Sequence, residues 1–237
     1  MISVLSDAQP PRLSGRGQLD LVLCSHPGAA RKFDQSDGAL GLAPGPVLRP
    51  EFGPLALARR ASIRADLGLA DSDRAVVILG GTHGSGDLME TFGGVADLDG
   101  FVPIAVCGKN DLLESRLRRM VRRTGRFGLV LGWEDDMAGL MAAGDVAIDN
   151  TGGMAAFEAM ACSLPVICHL PLPGRRRANV AALAAANLVR YVVEPLELPA
   201  CLESLAGPGA DRSRLVDAGH GLFAGDAADA IEFLARA

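Results

Sequence analysis

The sequence predicts an α/β fold, a doubly wound parallel sheet with helices on both faces. Two observations carry this prediction. From residue 73 onward, short apolar runs alternate with glycine-rich turns and helical stretches. The runs are continuously apolar, which is typical of parallel strands that are covered on both faces. Strand–helix alternation of this kind requires right-handed crossovers and gives an open sheet.

The composition indicates a globular protein and argues against a nucleic-acid binder. The 237 residues are 49% hydrophobic and carry a net charge of -5, whereas nucleic-acid-binding surfaces are basic. The cysteines are scattered and form no Cys-x-x-Cys pair, so we expect buried free thiols and neither a zinc site nor a disulfide framework. Free thiols fit a reducing cytoplasm, and no apolar run reaches the length of a membrane span.

The first 46 residues differ from the rest. The runs MISVLSD and LDLVLCS are expected to be strands, but AQPPRLSGRGQ between them is too broken for a full crossover helix. Two or three strands cannot bury a core alone. We therefore expect either the last part of a larger domain or an extension packed on the main domain. The Pro- and Gly-rich run LAPGPVLRPEFGP then indicates a linker.

The remaining chain is expected to contain six strands separated by helices. The strands are AVVILGG (75–81), VPIAVCG (102–108), FGLVLG (127–132), DVAIDN (145–150), LPVICHL (164–170) and LVRYVV (188–193). The helix candidates lie at residues 111–123, 136–143, 154–161 and 177–186, with two more near 196–205 and 227–235 that close the domain.

The loop after the first of these strands is a candidate anion site, because open parallel sheets bind ligands beyond the carboxyl ends of their strands. It reads GGTHGSGD, residues 80–87. Glycines allow close backbone approach, and the next helix offers free N–H groups, so a phosphate or diphosphate is the natural ligand. A plain tight turn explains the loop equally well. His83 would contact a phosphate or be a solvated loop residue.

The loops after the second and third strands hold further candidates. CGKN (107–110) brings Lys109 and Asn110 to the same rim, and Asn110 is expected to cap the following helix. GWEDDM (132–137) contains the only tryptophan. Trp133 is interpreted either as a surface that stacks on or flanks a base, or as an anchor of the core.

The loop after the fourth strand precedes a helix with one carboxylate. Asn150 or Thr151 is expected to cap that helix, and Gly152 and Gly153 to let a ligand approach. Glu158 lies in the second helical turn among alanines, Met and Phe, where a carboxylate needs a partner. Two ribose hydroxyls would supply one, as they do for the acidic residue of dinucleotide-binding folds. A solvated outer face is the alternative.

Three arginines, Arg175, Arg176 and Arg177, follow the fifth strand and Gly174. Beside a diphosphate site they would clamp a phosphate or an anionic sugar such as a uronate. They would equally serve to contact anionic lipid headgroups, or form the solvated start of a helix.

Together these motifs resemble the C-terminal, donor-binding Rossmann-like domain of GT-B glycosyltransferases. GGTHGSG, CGKN, LGWEDDMAGLMAAGDVAIDNTGGMAAFEAMACSLPVI and PLPGRRRAN occur in the family order. The group concerned contains the diacylglycerol galactosyl- and glucosyltransferases and the enzyme that adds N-acetylglucosamine to lipid I. The resemblance covers residues 47–237, and VLRPEF resembles the interdomain segment. It implies a partial acceptor-side segment at 1–46, a linker and lead-in helix at 47–72, and the donor domain at 73–237.

The resemblance also implies a role for each candidate residue. Diphosphate binding is expected at Gly80, Gly81, Thr82, His83, Gly84 and Ser85. Nucleoside binding is expected at Trp133, Glu134, Met137, Gly152, Gly153, Met154 and Glu158, with Glu158 on the ribose hydroxyls. The donor-sugar side is expected to hold Cys107, Gly108, Lys109, Asn110, Gly174, Arg175, Arg176 and Asn179. Neither a metal nor a cofactor is expected, because helix N-termini and basic groups offset the leaving diphosphate.

The sequence departs from the family pattern in three places. Arg175 and Arg176 stand where the family usually has Gln-Glu or Gln-Gln to hold sugar hydroxyls. Ala155 replaces a common threonine three residues before the ribose carboxylate. The acceptor domain, which carries the catalytic base in the family, is nearly absent. His26 does not match the motif of that base, and no catalytic residue is assigned.

These features predict the donor-binding portion of a UDP-sugar-dependent glycosyltransferase, with a dTDP-sugar as second choice of donor. It would transfer a hexose to a lipid or other acceptor, with the acceptor half missing or on another chain, and would transfer no sugar alone. A non-catalytic nucleotide-sugar or UDP-binding module and a relative of the GT-B-fold UDP-N-acetylglucosamine epimerase are the alternatives. Expected partners are a nucleotide-sugar, an acceptor-domain chain and a lipid or membrane contact, without nucleic acid, in the cytoplasm or at the inner face of the membrane.

Overall fold

The computed structural model describes residues 2–6, 8, 20–34, 39–125, 127–225 and 227–236. Within these ranges the chain forms one parallel sheet of three strands and one of six. Apart from Ala8, the segment AQPPRLSGRGQ lies outside the described residues. No helix in the described ranges has both the length and the apolar character that a membrane crossing needs.

The small sheet has the order β1 (Ile2–Leu5), β2 (Leu21–Cys24), β3 (Leu40–Leu42). Helix α1 (Pro27–Asp34) connects β2 to β3, and its Ala29, Ala30 and Phe33 pack with Val22 and Cys24 of β2. The sequence predicted the first two strands, but it did not predict α1 or β3. A three-residue strand and an eight-residue helix are too short to show a clear hydrophobic period.

The other face of the small sheet is apolar and is exposed at its two outer strands, while Leu23 of the central strand is buried. Val4 is paired with Leu23, and Leu23 with Leu42, so the three side chains lie on one face together with Leu40. Val4 is 51% exposed, Leu40 54% and Leu42 41%. Parallel sheets are normally covered on both faces, so this face has the character of a packing surface.

The large sheet is the predicted doubly wound parallel sheet. Its strands are β4 (Arg74–Leu79), β5 (Phe101–Val106), β6 (Leu129–Leu131), β7 (Val146–Asp149), β8 (Val166–His169) and β9 (Arg190–Val192). Each matches one predicted apolar run, which confirms the predicted fold class. The strand order is β6-β5-β4-β7-β8-β9. The order therefore reverses between β4 and β7, the switch point where such sheets bind ligands.

Helices cover both faces of the large sheet. Its two faces form two separate hydrophobic clusters. One face packs against α4 (Leu88–Ala96), α5 (Asp111–Thr124), α9 (Leu198–Ala206) and α10 (Ala210–His220). The other packs against α2 (Pro54–Leu57), α6 (Met137–Ala143), α7 (Met154–Ala161) and α8 (Arg175–Ala185). The lead-in helix α3 (Arg60–Asp66) contacts α6, and α11 (Ala227–Arg236) ends the chain.

Several helix starts follow the predicted capping chemistry. The Asn110 side chain accepts the backbone N–H of Leu113 at 3.0 Å, which confirms Asn110 as the cap of α5. Asp136 caps α6 in the same way through Gly139. Helix α8 begins two residues earlier than predicted, at Arg175, directly after Gly174, which has a φ of 80°.

Asp145, just before β7, ties the lead-in helix to the sheet. Its carboxylate lies 2.6 Å from Arg60 Nη2 and 3.2 Å from Arg64 Nη1, and it accepts the backbone N–H of Ala75 at 2.8 Å. Arg64 is only 7% exposed. Arg212 of α10 donates to the backbone oxygen of Asp145 at 2.6 Å. The cluster joins α3 and α10 to the amino ends of the strands, away from the ligand-binding edge.

Candidate functional site

A cavity of about 460 Å³ lies at the carboxyl ends of the strands, at the switch point. The loops that follow β4, β5, β6 and β7 and the first turns of α7 form its walls. Nine predicted site residues line it: Gly80, Gly81, Thr82, Gly108, Trp133, Glu134, Met137, Met154 and Glu158. A larger cavity of about 720 Å³ lies between the linker and residues 220–228 and shares only Arg49 with it.

The glycine-rich loop after β4 is held against the loop after β5. The backbone N–H of Lys109 donates to the oxygen of Thr82 at 2.8 Å. Gly108 has a φ of 58°, and a Cβ there would lie 2.4 Å from the oxygen of Gly81. Only glycine allows this approach. The two loops therefore form a single wall, with Gly81 and Thr82 on the cavity side.

The other predicted diphosphate residues do not line the cavity. His83 is exposed, and its backbone oxygen accepts from the Asn110 amide at 3.3 Å. Gly84 is buried beneath the loop, where a Cβ would lie 2.5 Å from the Cys107 oxygen. The Ser85 oxygen accepts the Asn150 amide at 2.6 Å, which ties this loop to the one after β7. The sequence of the loop alone does not show which of its residues point toward the cavity.

Trp133 lies at the mouth of the cavity. It is 55% exposed, so the interpretation of Trp133 as a core anchor is wrong. Its indole N–H donates to Asp135 Oδ1 at 2.8 Å, and Lys109 Nζ lies 4.8 Å from the ring centroid. These contacts fix the ring at the rim, with one of its faces under the Lys109 ammonium.

The loop that carries Trp133 is anchored at its end. Glu134 Oε1 accepts the backbone N–H of Asp136 at 2.9 Å. Asp136 pairs with Arg59 at 2.5 Å, and its hydrogen bond with Arg59 holds the pKa of this carboxyl below its usual range. The loop therefore has a defined shape before any ligand enters.

Glu158 is a half-buried carboxylate on the cavity wall. Its side chain makes no hydrogen bond with any residue in the described ranges. Burial raises its pKa, the positive charge of Arg49 opposes this, and Glu51 adds to it. Arg49 itself pairs with Glu51 at 2.9 Å. A solvated outer face is therefore wrong for Glu158, which instead faces a concave space with its acceptor oxygens unused.

The turn before α7 is shaped by Asp149, which the sequence analysis did not select. Asp149 is buried, and it accepts the backbone N–H groups of Thr151 at 2.9 Å and of Gly152 at 2.6 Å. Burial raises its pKa, and these hydrogen bonds oppose the rise. The sequence feature that could have identified Asp149 is a carboxylate at the last position of a predicted buried strand.

The predicted cap of α7 is not present in the expected form. The helix begins at Met154, and its N-cap residue Gly153 provides no side-chain capping bond. Asn150 is engaged with Ser85, while the Thr151 hydroxyl accepts from Gly153 at 3.2 Å outside the helix proper. Gly152 has a φ of 60°, and a Cβ there would lie 2.8 Å from the Val180 nitrogen of α8. The turn thus leaves the first N–H groups of α7 open to the cavity.

The predicted donor-sugar residues are dispersed. Gly108 lines the cavity, Lys109 covers Trp133 and Asn110 caps α5. Cys107 is buried, and burial raises the pKa of its thiol to about 11, so it is a packing residue at neutral pH. The other four predicted residues lie at the start of α8 and do not line the cavity. Gly174, Arg175 and Arg176 are exposed, and Asn179 is buried.

Curated relatives match about half of the chain, while no protein-family model matches it. Processive diacylglycerol beta-glucosyltransferases from Bacillus subtilis (strain 168) and Bacillus pumilus (strain SAFR-032) are 30% identical over 112 residues and 29% identical over 133 residues. The matches cover 47% and 56% of this chain, and 29% and 34% of the relatives. The matched part thus spans about a third of the relatives' length.

Solved structures match almost the whole chain. Anabaena HepE in complex with UDP and glucose has a TM-score of 0.60 at 16% identity, covering 99% of this chain and 70% of that one. MurG from Acinetobacter baumannii has a TM-score of 0.57 at 16% identity, covering 93% and 61%. The chain resembles the GT-B glycosyltransferases. The GT-B resemblance expected from the motifs is confirmed, as is the Rossmann-like α/β architecture.

Proposed function

We propose that the chain is the UDP-sugar-binding portion of a glycosyltransferase that transfers a hexose to a lipid or other acceptor. The observation that carries this proposal is the Glu158 carboxylate, which is half-buried, has no hydrogen-bond partner within the described residues and lies on the wall of the switch-point cavity. A desolvated carboxylate in such a position is costly without donors, and the two hydroxyls of a ribose are suitable donors.

The residues around Glu158 provide groups that would contact the uracil and the diphosphate of the proposed ligand. The loop at Trp133 and Glu134 borders the same cavity and would hold the uracil. Gly81 and Thr82 line the same cavity, and Met154 and Ala155, which also line it, belong to the first turn of α7. A diphosphate between them would meet backbone N–H groups and the positive end of a helix dipole.

Charge stabilisation of the leaving diphosphate would follow from the same groups. Transfer breaks the bond between the sugar carbon and the diphosphate oxygen, and negative charge grows on that oxygen. The N–H groups of α7 and the nearby guanidinium of Arg49 lie on the walls of this cavity. Such preorganised donors stabilise the developing charge more than they stabilise the bound donor. Arg49 is a member of this set that the sequence analysis did not select.

The acceptor side of the reaction is proposed to come from a separate half. The exposed apolar side chains of Val4, Leu40 and Leu42 on the two outer strands of the small sheet support the packing of further elements there. His26 does not offer a base for the reaction. It is buried, its Nε2 lies 2.8 Å from the Ala8 oxygen, and burial lowers its pKa.

A non-catalytic UDP-binding module is the second candidate, and one observation favours it. Arg175 and Arg176 occupy the positions that hold sugar hydroxyls in the family, and both are exposed and lie outside the cavity lining. This candidate shares the nucleotide site and differs in that no sugar is transferred even when an acceptor half is supplied.

A thermal-shift panel tests the shared nucleotide site. UDP and UDP-sugars should raise the melting temperature in a dose-dependent way, because they bind only the native state. GDP should raise it much less, and dTDP should fall between. Glu158→Gln should abolish most of the UDP-dependent shift. Equal shifts with all three nucleotides, or an unchanged UDP shift in the variant, would contradict the proposal.

A further inference from the structure

Helix α5 carries a strongly basic outer surface in a chain whose net charge is -5. Its five arginines are all exposed: Arg116, Arg118, Arg119, Arg122 and Arg123. Arg118 pairs with Glu114 at 2.7 Å. The other four make no hydrogen bond or ion pair within the described part of the chain. Arg122 and Arg123 lie in the last turn, where the helix dipole favours cations, but Arg116 and Arg119 have no such explanation.

Three of these four arginines, Arg116, Arg119 and Arg123, form a row along the helix. Positions 112, 116, 119 and 123 are spaced by four, three and four residues and therefore share one face. Leu117, on the other side, is fully buried against the sheet. Leu112 at the amino end of the row is 62% exposed, and Phe127, which follows the Gly125 that ends the helix, is 57% exposed. At 1.5 Å per residue the row from Leu112 to Arg123 is roughly 17 Å long.

We propose that this face docks on an anionic membrane surface. The face is defined by Leu112, Arg116, Arg119 and Arg123, and Phe127 follows beyond the carboxyl end of the helix. Guanidinium groups bind lipid phosphates bidentately, and each basic residue near an anionic leaflet strengthens binding about fivefold. The two exposed apolar side chains enter the boundary between headgroups and acyl chains, where burial removes them from water.

The pairing of arginines with flanking apolar residues distinguishes a membrane from other polyanions. A nucleic acid would use the arginines but gain nothing from Leu112, and the rest of the chain is acidic and would repel it. The position of the face also fits a lipid surface. Asn110 caps α5, and Gly108 in the same loop lines the cavity, so the docked helix brings the cavity mouth close to the membrane plane.

Vesicle co-sedimentation tests the surface without any nucleotide. The probes are phosphatidylcholine vesicles with and without phosphatidylglycerol, at low and high salt. The test variant is Arg116→Gln/Arg119→Gln/Arg123→Gln. The control is Arg190→Gln/Arg214→Gln/Arg236→Gln, which removes the same charge from exposed arginines that are paired with acids. A second variant, Leu112→Gln/Phe127→Gln, tests the apolar contribution.

We expect the wild-type chain to bind phosphatidylglycerol vesicles in a salt-sensitive manner and to ignore pure phosphatidylcholine. The test variant should bind roughly 100-fold more weakly, and the control within about fivefold of wild type. Equal losses in test and control, binding to both vesicle types alike, or a preference for duplex nucleic acid over vesicles would overturn the proposal. All variants should keep the wild-type melting temperature and UDP shift, so failure here is distinct from failure of the nucleotide site.

Discussion

At Glu158 the requirement of ligand binding for a charged carboxylate conflicts with the stability of the fold. Its folded-state pKa is raised above the ordinary value of 4.5. The stability that it contributes is therefore fully present below that value and is lost as the pH rises through the raised pKa. At neutral pH the buried charge opposes folding, and the bound ribose would offset that cost.

The first prediction follows from this conflict. Glu158→Gln should leave the free energy of unfolding at neutral pH unchanged or increase it, because the desolvated charge is removed. The same variant should weaken UDP binding by roughly 1–3 kcal/mol, the cost of unpairing the hydroxyls. Calorimetry and denaturant titration measure the two quantities. Glu197→Gln, on an exposed turn, is the control and should change neither. A Glu158 variant that binds UDP as tightly as wild type would rule out the ribose contact.

A second prediction concerns pH. UDP affinity should decrease as the pH falls through the raised pKa of Glu158, because a protonated carboxyl accepts hydrogen bonds poorly. The phosphate of UDP also titrates, with a pKa of about 6. The Glu158→Gln variant shares that phosphate titration, so the difference between the two pH profiles isolates the carboxyl. Parallel profiles would contradict the assignment.

Among individual residues, the sequence predicted those whose importance can be recognised from the residues next to them in the chain. Glu158 was selected because alanines surround it. Asp149 and Arg49 were not, because the importance of each depends on distant partners: the Asp149 carboxylate is enclosed by its own turn, and Arg49 enters the cavity from the linker. Trp133 was left between two interpretations, since exposure is a property of the packed chain.

Among the elements, α3 depends on its buried ion pairs. Asp145→Ala would leave the buried Arg64 without a carboxylate partner, and losing one partner of a buried ion pair typically costs about 3–5 kcal/mol. Urea unfolding measures the loss. Glu203→Ala removes the partner of Arg74 at the surface and should cost less than about 1 kcal/mol. Similar costs for the two variants would mean that the Asp145 cluster is not a buried network.

The turn between β7 and α7 makes a further prediction. Gly152→Ala should destabilise the chain through both its left-handed backbone and the clash with Val180, and should also weaken UDP binding by displacing α7. Gly68→Ala is the matched control, since Gly68 has a φ of 69° and nothing near its Cβ position. The difference in unfolding free energy should be about 1–3 kcal/mol. Equal costs for the two variants would show that α8 shifts to accommodate the added Cβ without a measurable loss of stability.

Element existence was predictable and element boundaries less so. The six strands of the large sheet followed from apolar runs, and α7 matches its prediction at both ends. Helix α8 starts at Arg175 because Gly174 reverses the chain there, a backbone property that its exposed arginines did not signal. Helix α1 and β3 were missed because each is shorter than the window in which a period can be recognised.

For the whole molecule, the pattern of runs predicted a parallel sheet but not the strand order. The order depends on which strands meet across the fold, and β4 pairs with β7 across 66 intervening residues, from Leu79 to Val146. Only that pairing creates the switch point. The pattern therefore predicted which loops carry polar chemistry, and the fold determined which of them share one cavity.

The last prediction is that this chain alone releases no UDP from UDP-sugars in the presence of acceptor lipid. The proposed nucleotide site is at the large sheet, and the acceptor chemistry is assigned to a separate half. A coupled UDP-release assay measures turnover, with the thermal shift as proof that the donor binds. Turnover by the purified chain would contradict the assignment of the acceptor chemistry to a separate half.

Trp133 gives the protein a built-in optical reporter. It is the chain's one tryptophan, it stands at the cavity mouth, and its indole is held by Asp135 beneath Lys109. All indole emission from the molecule therefore originates at a single place. A base arriving at that rim would alter the polarity around the ring and the geometry of the lysine contact, so unlabelled protein in a fluorimeter can follow ligand occupancy in real time.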